Sequence, residues 1–184
     1  MADEGQLRAE ACVRKAQAEL AGLAGRGLVM AGNAFSSVLF AKGDLSEAER
    51  EGASLLSGPD GKALRASLAA LGYPPEDWCA LSTVLADGGA APSGLLREAV
   101  CALDPATLVA CDETAAQALR ETYANELAGL EDMHEAMLEP GVVAHVLGMR
   151  VMDLGGFEAA LGNARQKQVM WARLKLLRPL GEPY

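Results

Sequence analysis

The chain has 184 residues, a length that suggests one compact domain. Hydrophobic residues make up 51% of it, enough for a sizeable core, which excludes a disordered chain, and no window approaches the roughly 20 apolar residues of a membrane span. The formal net charge of −9 opposes nonspecific attraction to nucleic acid, although it leaves room for a local basic face.

In chain order, residues 6–23 carry Leu7, Val13, Ala16, Leu20 and Leu23 at helical spacing, and Gly25 and Gly27 stop that helix. "LVMAG" (28–32) is a short apolar run bounded by glycine, suited to a strand covered on both faces. "LSEAEREGASLL" begins a helix after Asp44. Pro59 and Asp60 open the next, Leu64, Leu68 and Leu71 give its buried face, and Gly72 with Pro74 ends it. "WCALSTV" reads as a second strand, and "SGLLREAVCAL" as a helix capped by Ser93. "ATLVACDETAAQAL" is a strand, a polar turn, and a helix starting near Asp112. "NELAGLEDMHEAML" lies in an acidic helical insertion at about 123–139, closed by Pro140 and Gly141. "MRVMDL" is the fourth strand, and a final helix runs from Phe157 to Leu177, before Pro179.

Strands separated by helical runs imply a parallel sheet with helices on both faces. Ligands gather at the carboxyl ends of such strands. The candidate segments are therefore those after Gly32, Thr83, Cys111 and Asp153. None is a phosphate loop, because neither G-x-x-x-x-G-K-[ST] nor G-x-G-x-x-G occurs.

Over about residues 25–177, the order of these segments resembles the uracil-DNA glycosylase superfamily, most of all its microbial branch that commonly carries an iron–sulfur cluster. "LLSGPDGKALRASLAALGYPPEDWCALSTV" resembles that branch's "PFVGRAG" helix and "TN" strand, and "ALDPATLVACDETAAQAL" resembles its "LDP…VVALGATAA" segment. The resemblance implies a single domain over 1–184. It also implies a three-layer α/β/α sandwich around a short, mainly parallel four-stranded sheet.

The family's activity residues have not carried over. A glycosylase flips a base, grips its edge, stacks on its face and supports the departing anionic base. On this placement the carboxylate of "GEAPG" falls on Asn33, the stacking Phe on Leu56, the edge-reading Asn of "TN" on Thr83, and the His of "HPS" on Gly156. Of the four cluster-ligand places, Cys101 fills one and Cys12 another, while Lys15 and Asp87 hold the other two, so no iron–sulfur cluster or other cofactor is expected. Cys79 and Cys111 read as core thiols.

Asn33 reads first as a turn residue bonding its own backbone. Asp153 is the favoured surviving polar group, with helix capping as its plain explanation. His145 precedes the last strand and belongs at the wrong end of the sheet. No H-x-x-x-H or C-x-x-C announces a metal site. Arg165 and Lys167, in the basic terminal cluster, are the candidate nucleic-acid contacts, weak if they act at all. Three readings compete. The first is a cytoplasmic, non-membrane, glycosylase-like protein that has lost base excision and acts as a binding or interaction module. The second is an atypical enzyme acting on a nucleobase or nucleotide through Asn33 and Asp153. The third is a structural homo-oligomer whose pocket is filled, with Leu56 inside.

Overall fold

The computed structural model describes residues 4–181. Six strands form one mixed sheet: β1 (Met30–Gly32), β2 (Val38–Lys42), β3 (Cys79–Ser82), β4 (Thr107–Ala110), β5 (Ala144–Val146) and β6 (Met149–Asp153). They lie in the order β1-β3-β2-β4-β6-β5. The inner four are mutually parallel, and β1 and β5 pair antiparallel on the two edges. The expected sheet of four strands is therefore corrected to six. The segment "LVMAG" supplies only the edge strand β1. The first parallel strand is "VLFAK", which the sequence reading passed over.

Strand β2 is buried on both faces along its whole length, so it shows no polar–apolar alternation. Its parity still sorts the core. Val38 and Phe40 join one cluster with Leu64, Leu68, Phe157, Met170 and Leu174, and Leu39 and Ala41 join another with Leu23, Leu96, Ala99, Ala115 and Leu119. Helices α3 (Pro59–Leu71), α8 (Phe157–Ala160) and α9 (Ala164–Leu174) thus cover one face. Helices α4 (Ser93–Leu103) and α5 (Glu113–Thr122) cover the other, joined by the C-terminal end of α1 (Glu4–Gly25) through Leu20 and Leu23. The crossover from β2 to β3 uses the α3 face, and the return from β3 to β4 uses the α4 face. Opposite directions on opposite faces keep a single crossover hand.

Local chemistry explains the helix ends. Pro59 starts α3, and Gly72, in the left-handed region at φ 98°, ends it. Asp112 caps α5 by accepting from the Ala115 amide. Ser93 is not the cap of α4; it is that helix's first residue, and Pro92 precedes it in the cap position. The helix expected after Asp44 shrinks to α2 (Glu47–Arg50), held by a capping box between Ser46 and Glu49. The acidic insertion is two short helices, α6 (Ala124–Ala128) and α7 (Met133–Ala136). Asp132 caps the second, accepting from the His134 and Glu135 amides. The long final helix is also divided. Asn163 accepts from the Gln166 amide and starts α9 anew, and a 3-10 turn (Lys175–Leu177) follows it. No helix among the described residues is long and apolar enough to cross a membrane.

Candidate functional site

Counting only the parallel strands, the chain runs from β2 outward to β3, then crosses back over β2 to β4. The direction of winding reverses between β2 and β4, and ligand crevices in open α/β sheets form outside the strand ends at that point. A cavity of about 340 Å³ lies there, lined by Lys42, Asp60, Leu64, Asp112, Phe157 and Glu158 among others. Its size is at the lower end of small-molecule sites.

Lys42 forms the floor. It ends β2 on the α3–α8 face, where parity places it, and only 2% of its surface is exposed. A buried ammonium needs partners. Glu49 Oε1 accepts from its Nζ at 2.5 Å and Asp60 Oδ2 at 2.6 Å, and Glu158 Oε2 lies 3.7 Å away. Burial alone would lower the Lys42 pKa, but the hydrogen bonds and charges of Asp60 and Glu49 outweigh it and hold the group above the ordinary lysine value. Burial would likewise raise Glu49, and hydrogen bonds from Lys42 and Ser46 overcome it and hold the carboxyl below its usual range. Lys42 is thus a fixed ammonium and not a nucleophile.

The second wall is backbone chemistry. The Asp112 carboxylate accepts from the amides of Gly43 and Asp44 as well as from Ala115, which ties the end of β2 to the start of α5. A β-carbon at Gly43 would come within 2.7 Å of the side chains of Thr114 and Thr83, so only glycine passes there. Asp44 is exposed at the mouth and accepts from the Thr114 hydroxyl at 2.6 Å. Cys111 lines the cavity, but burial pushes its thiol well up, with the charge of Asp112 adding to the effect, so it is no ready thiolate.

The structure does not bring the sequence candidates together. Asn33 follows β1, which runs antiparallel to β3 with Gly32 opposite Cys79. It therefore lies at the amino end of the parallel strands, across the sheet from the cavity. Its side chain accepts from the Phe35 amide, as a turn residue does. Thr83 and Asp153 stand on the α4–α5 face. Thr83 lines a separate groove of about 430 Å³ with Ser93, Thr114 and Gln117, and its buried hydroxyl makes no hydrogen bond. Asp153 is fully buried. It accepts from the Gly155 amide at 2.7 Å and pairs with Arg120 at 3.3 Å, and so caps no helix. Burial raises its pKa despite those partners.

Leu56 belongs to the apolar core on the α3–α8 face and lines no part of the cavity. Its amide donates to Glu49 and its carbonyl accepts from Arg65, so it helps to seat the cavity floor. Gly156 does reach the cavity, at φ 92°, a conformation that favours glycine. His145 is exposed opposite Arg150, at the amino end of β6. Arg165 and Lys167 are exposed on α9, and Lys167 borders a small apolar groove shared with Phe157 and Trp171. Cys12 and Cys101 are exposed on α1 and α4, whereas Cys79 and Cys111 are buried. Among the described residues, no three His, Cys, Asp or Glu side chains gather as ligands of a metal ion.

The group that sequence reasoning missed is Lys42 with Glu49 and Asp60. Its signal was present: "VLFAKG" is an apolar run closed by glycine, like "LVMAG". No protein-family model matches this chain, and a search of curated proteins finds no significant relative.

Proposed function

We propose that the chain is a uracil-DNA-glycosylase-like protein that does not excise uracil and uses the cavity at the winding reversal as a small-molecule binding module. The observation that carries this reading is the cavity itself, with a buried ion cluster as its floor at the place where α/β sheets hold ligands. The order of the segments supports the family likeness. With "VLFAK" as the first parallel strand, the loop that corresponds to "VGEAPG" is Lys42-Gly43-Asp44, and no longer the loop at Asn33. Asp44 is then the carboxylate at the mouth.

The other requirements of excision have no bearer beside it. Thr83 faces the opposite side of the sheet, Leu56 lies in the core, and Gly156 brings no imidazole. One such electrostatic donor is worth about 100- to 1,000-fold in rate, so their joint loss leaves excision undetectable. Incubation with uracil-containing single- and double-stranded DNA tests this. No abasic sites are expected, and enzyme-dependent sites that vanish in Asp44→Asn would restore the enzymatic reading. Any DNA contact through Arg165 and Lys167 is expected to be weak, sequence-independent and steeply salt-dependent, and to disappear when both are changed to Glu.

A further inference from the structure

Building on the small-molecule reading above, we infer that the cavity takes a planar organic cation of the amidinium, guanidinium or charged nitrogen-heterocycle class. Among the described residues that line it, Lys42 is the one cation, and it stands with Asp44, Asp60, Asp112 and Glu158. Two of these charges are accounted for within the protein. Asp112 is answered by three backbone amides, those of Gly43 and Asp44 after β2 and that of Ala115 at the start of α5. Lys42 is committed to Glu49 and Asp60, with Glu158 at 3.7 Å. One ammonium therefore faces three carboxylates. Asp44 adds a further carboxylate at the mouth, met by the Thr114 hydroxyl and by no cation among the described residues.

The excess is negative, and it lies beside the apolar side chains of Leu64 and Phe157. In a partly enclosed cavity such charges act more strongly than in bulk water. An anion entering here meets repulsion. A neutral ring covers Leu64 and Phe157 but leaves the negative excess unanswered. A flat cation does both, with N–H donors toward Glu158 and Asp44 and its face toward the apolar wall. Among the described residues these carboxylates are not grouped as the ligands of one metal ion, and the apolar wall of Leu64 and Phe157 suits an organic cation.

Three ligands that share one flat ring separate the alternatives: benzamidine (cation), benzamide (neutral) and benzoate (anion). Each is titrated into the isotope-labelled full chain and followed by amide shifts in NMR. Benzamidine is expected to move the amides of residues 42–44, 111–112 and 156–159 and to bind at least about tenfold more tightly than benzamide, with benzoate moving none of them. Added salt weakens that binding. Glu158→Gln and Asp44→Asn, both at exposed positions, each weaken benzamidine severalfold and leave benzamide unchanged. If benzamide or benzoate binds at the same amides as tightly as benzamidine, the cation preference is wrong and the small-molecule site stands. If none of the three moves those amides, the binding-module reading falls with it. Benzamidine shifts confined to the acidic α6–α7 surface reduce the effect to nonspecific charge and overturn the inference.

Discussion

The two ends of the sheet use their polar side chains differently. At the amino end they answer one another. Asp77 accepts from the Ser36 hydroxyl and from the amide and hydroxyl of Ser37, locking the entry to β2 against the entry to β3. Arg150 bonds to Thr107, and Tyr73 donates to the Leu177 carbonyl at 2.6 Å. At the carboxyl end, Lys42 is outnumbered by carboxylates, and a cavity opens above it. Closed polar networks specify a fold; one with unanswered charge at a cavity specifies a site.

Breaking the carboxyl-end cluster has the largest expected effect. Lys42→Met leaves Glu49 and Asp60 buried without their cation, a loss of about 3–5 kcal/mol in chemical denaturation. Adding Glu49→Gln and Asp60→Asn returns much of it, because the uncompensated charges are then gone. Acid acts on the same cluster. Glu49 titrates lower in the folded chain than its ordinary value of 4.5. Its contribution is therefore complete above that value and is lost as pH falls through the folded pKa. Glu49→Gln should flatten the acid limb of a stability–pH profile. An unchanged limb would place the acid-sensitive group elsewhere.

At the amino end the corresponding test is Asp77→Ala. It removes the acceptor of two hydroxyls and an amide, and the expected loss is about 2 kcal/mol. Benzamidine affinity should stay at the parent value in the folded fraction. A variant that is no less stable, or one that loses the ligand, would erase the distinction between a structural and a functional end.

The sequence exposed the frame more clearly than the site. Spacing and end signals located α1, α3, α4 and α5 to within a few residues: α3, α4 and α5 each bury one face, whereas α1 buries only Leu23 and leaves Leu7 and Val13 exposed, and each is marked at an end by Pro, Gly or Asp. Three of the four parallel strands were legible as apolar runs. β2 was not, and the site went unseen with it. Lysine rarely lies buried, so nothing in the local pattern marked Lys42 as the last residue of a buried strand. Its partners stand 7 and 18 residues downstream, a separation that no local pattern reports. Thr83 and Asp153 were rightly placed at strand ends, but their faces follow from the register, which sequence does not disclose.

A smaller effect is expected at Gly156. Its left-handed conformation costs an alanine about 1–2 kcal/mol, although a β-carbon there would meet no other group within 4 Å. Gly156→Ala should lower the melting temperature modestly and leave the cavity open. A fully stable variant would show that the loop before α8 relaxes freely, and that an imidazole could be introduced there without strain.

The smallest effect belongs to Asn33, the residue whose loop first suggested chemistry. Asn33→Ala removes one bond, from the Phe35 amide to the side-chain oxygen, in an exposed turn. The backbone bonds that fix the turn remain: Asn33 N–H to the Trp78 carbonyl at 2.9 Å, and Ser36 N–H to the Asn33 carbonyl at 3.0 Å. The stability loss should therefore stay within about 1 kcal/mol, and Asn33→Asp, which keeps the acceptor, should cost less. Neither variant should alter benzamidine binding, since Asn33 lies across the sheet from Lys42. Binding weakened by more than a few fold, with the melt unchanged, would place Asn33 beside the ligand. The two ends of the sheet would then not be the separate regions described above.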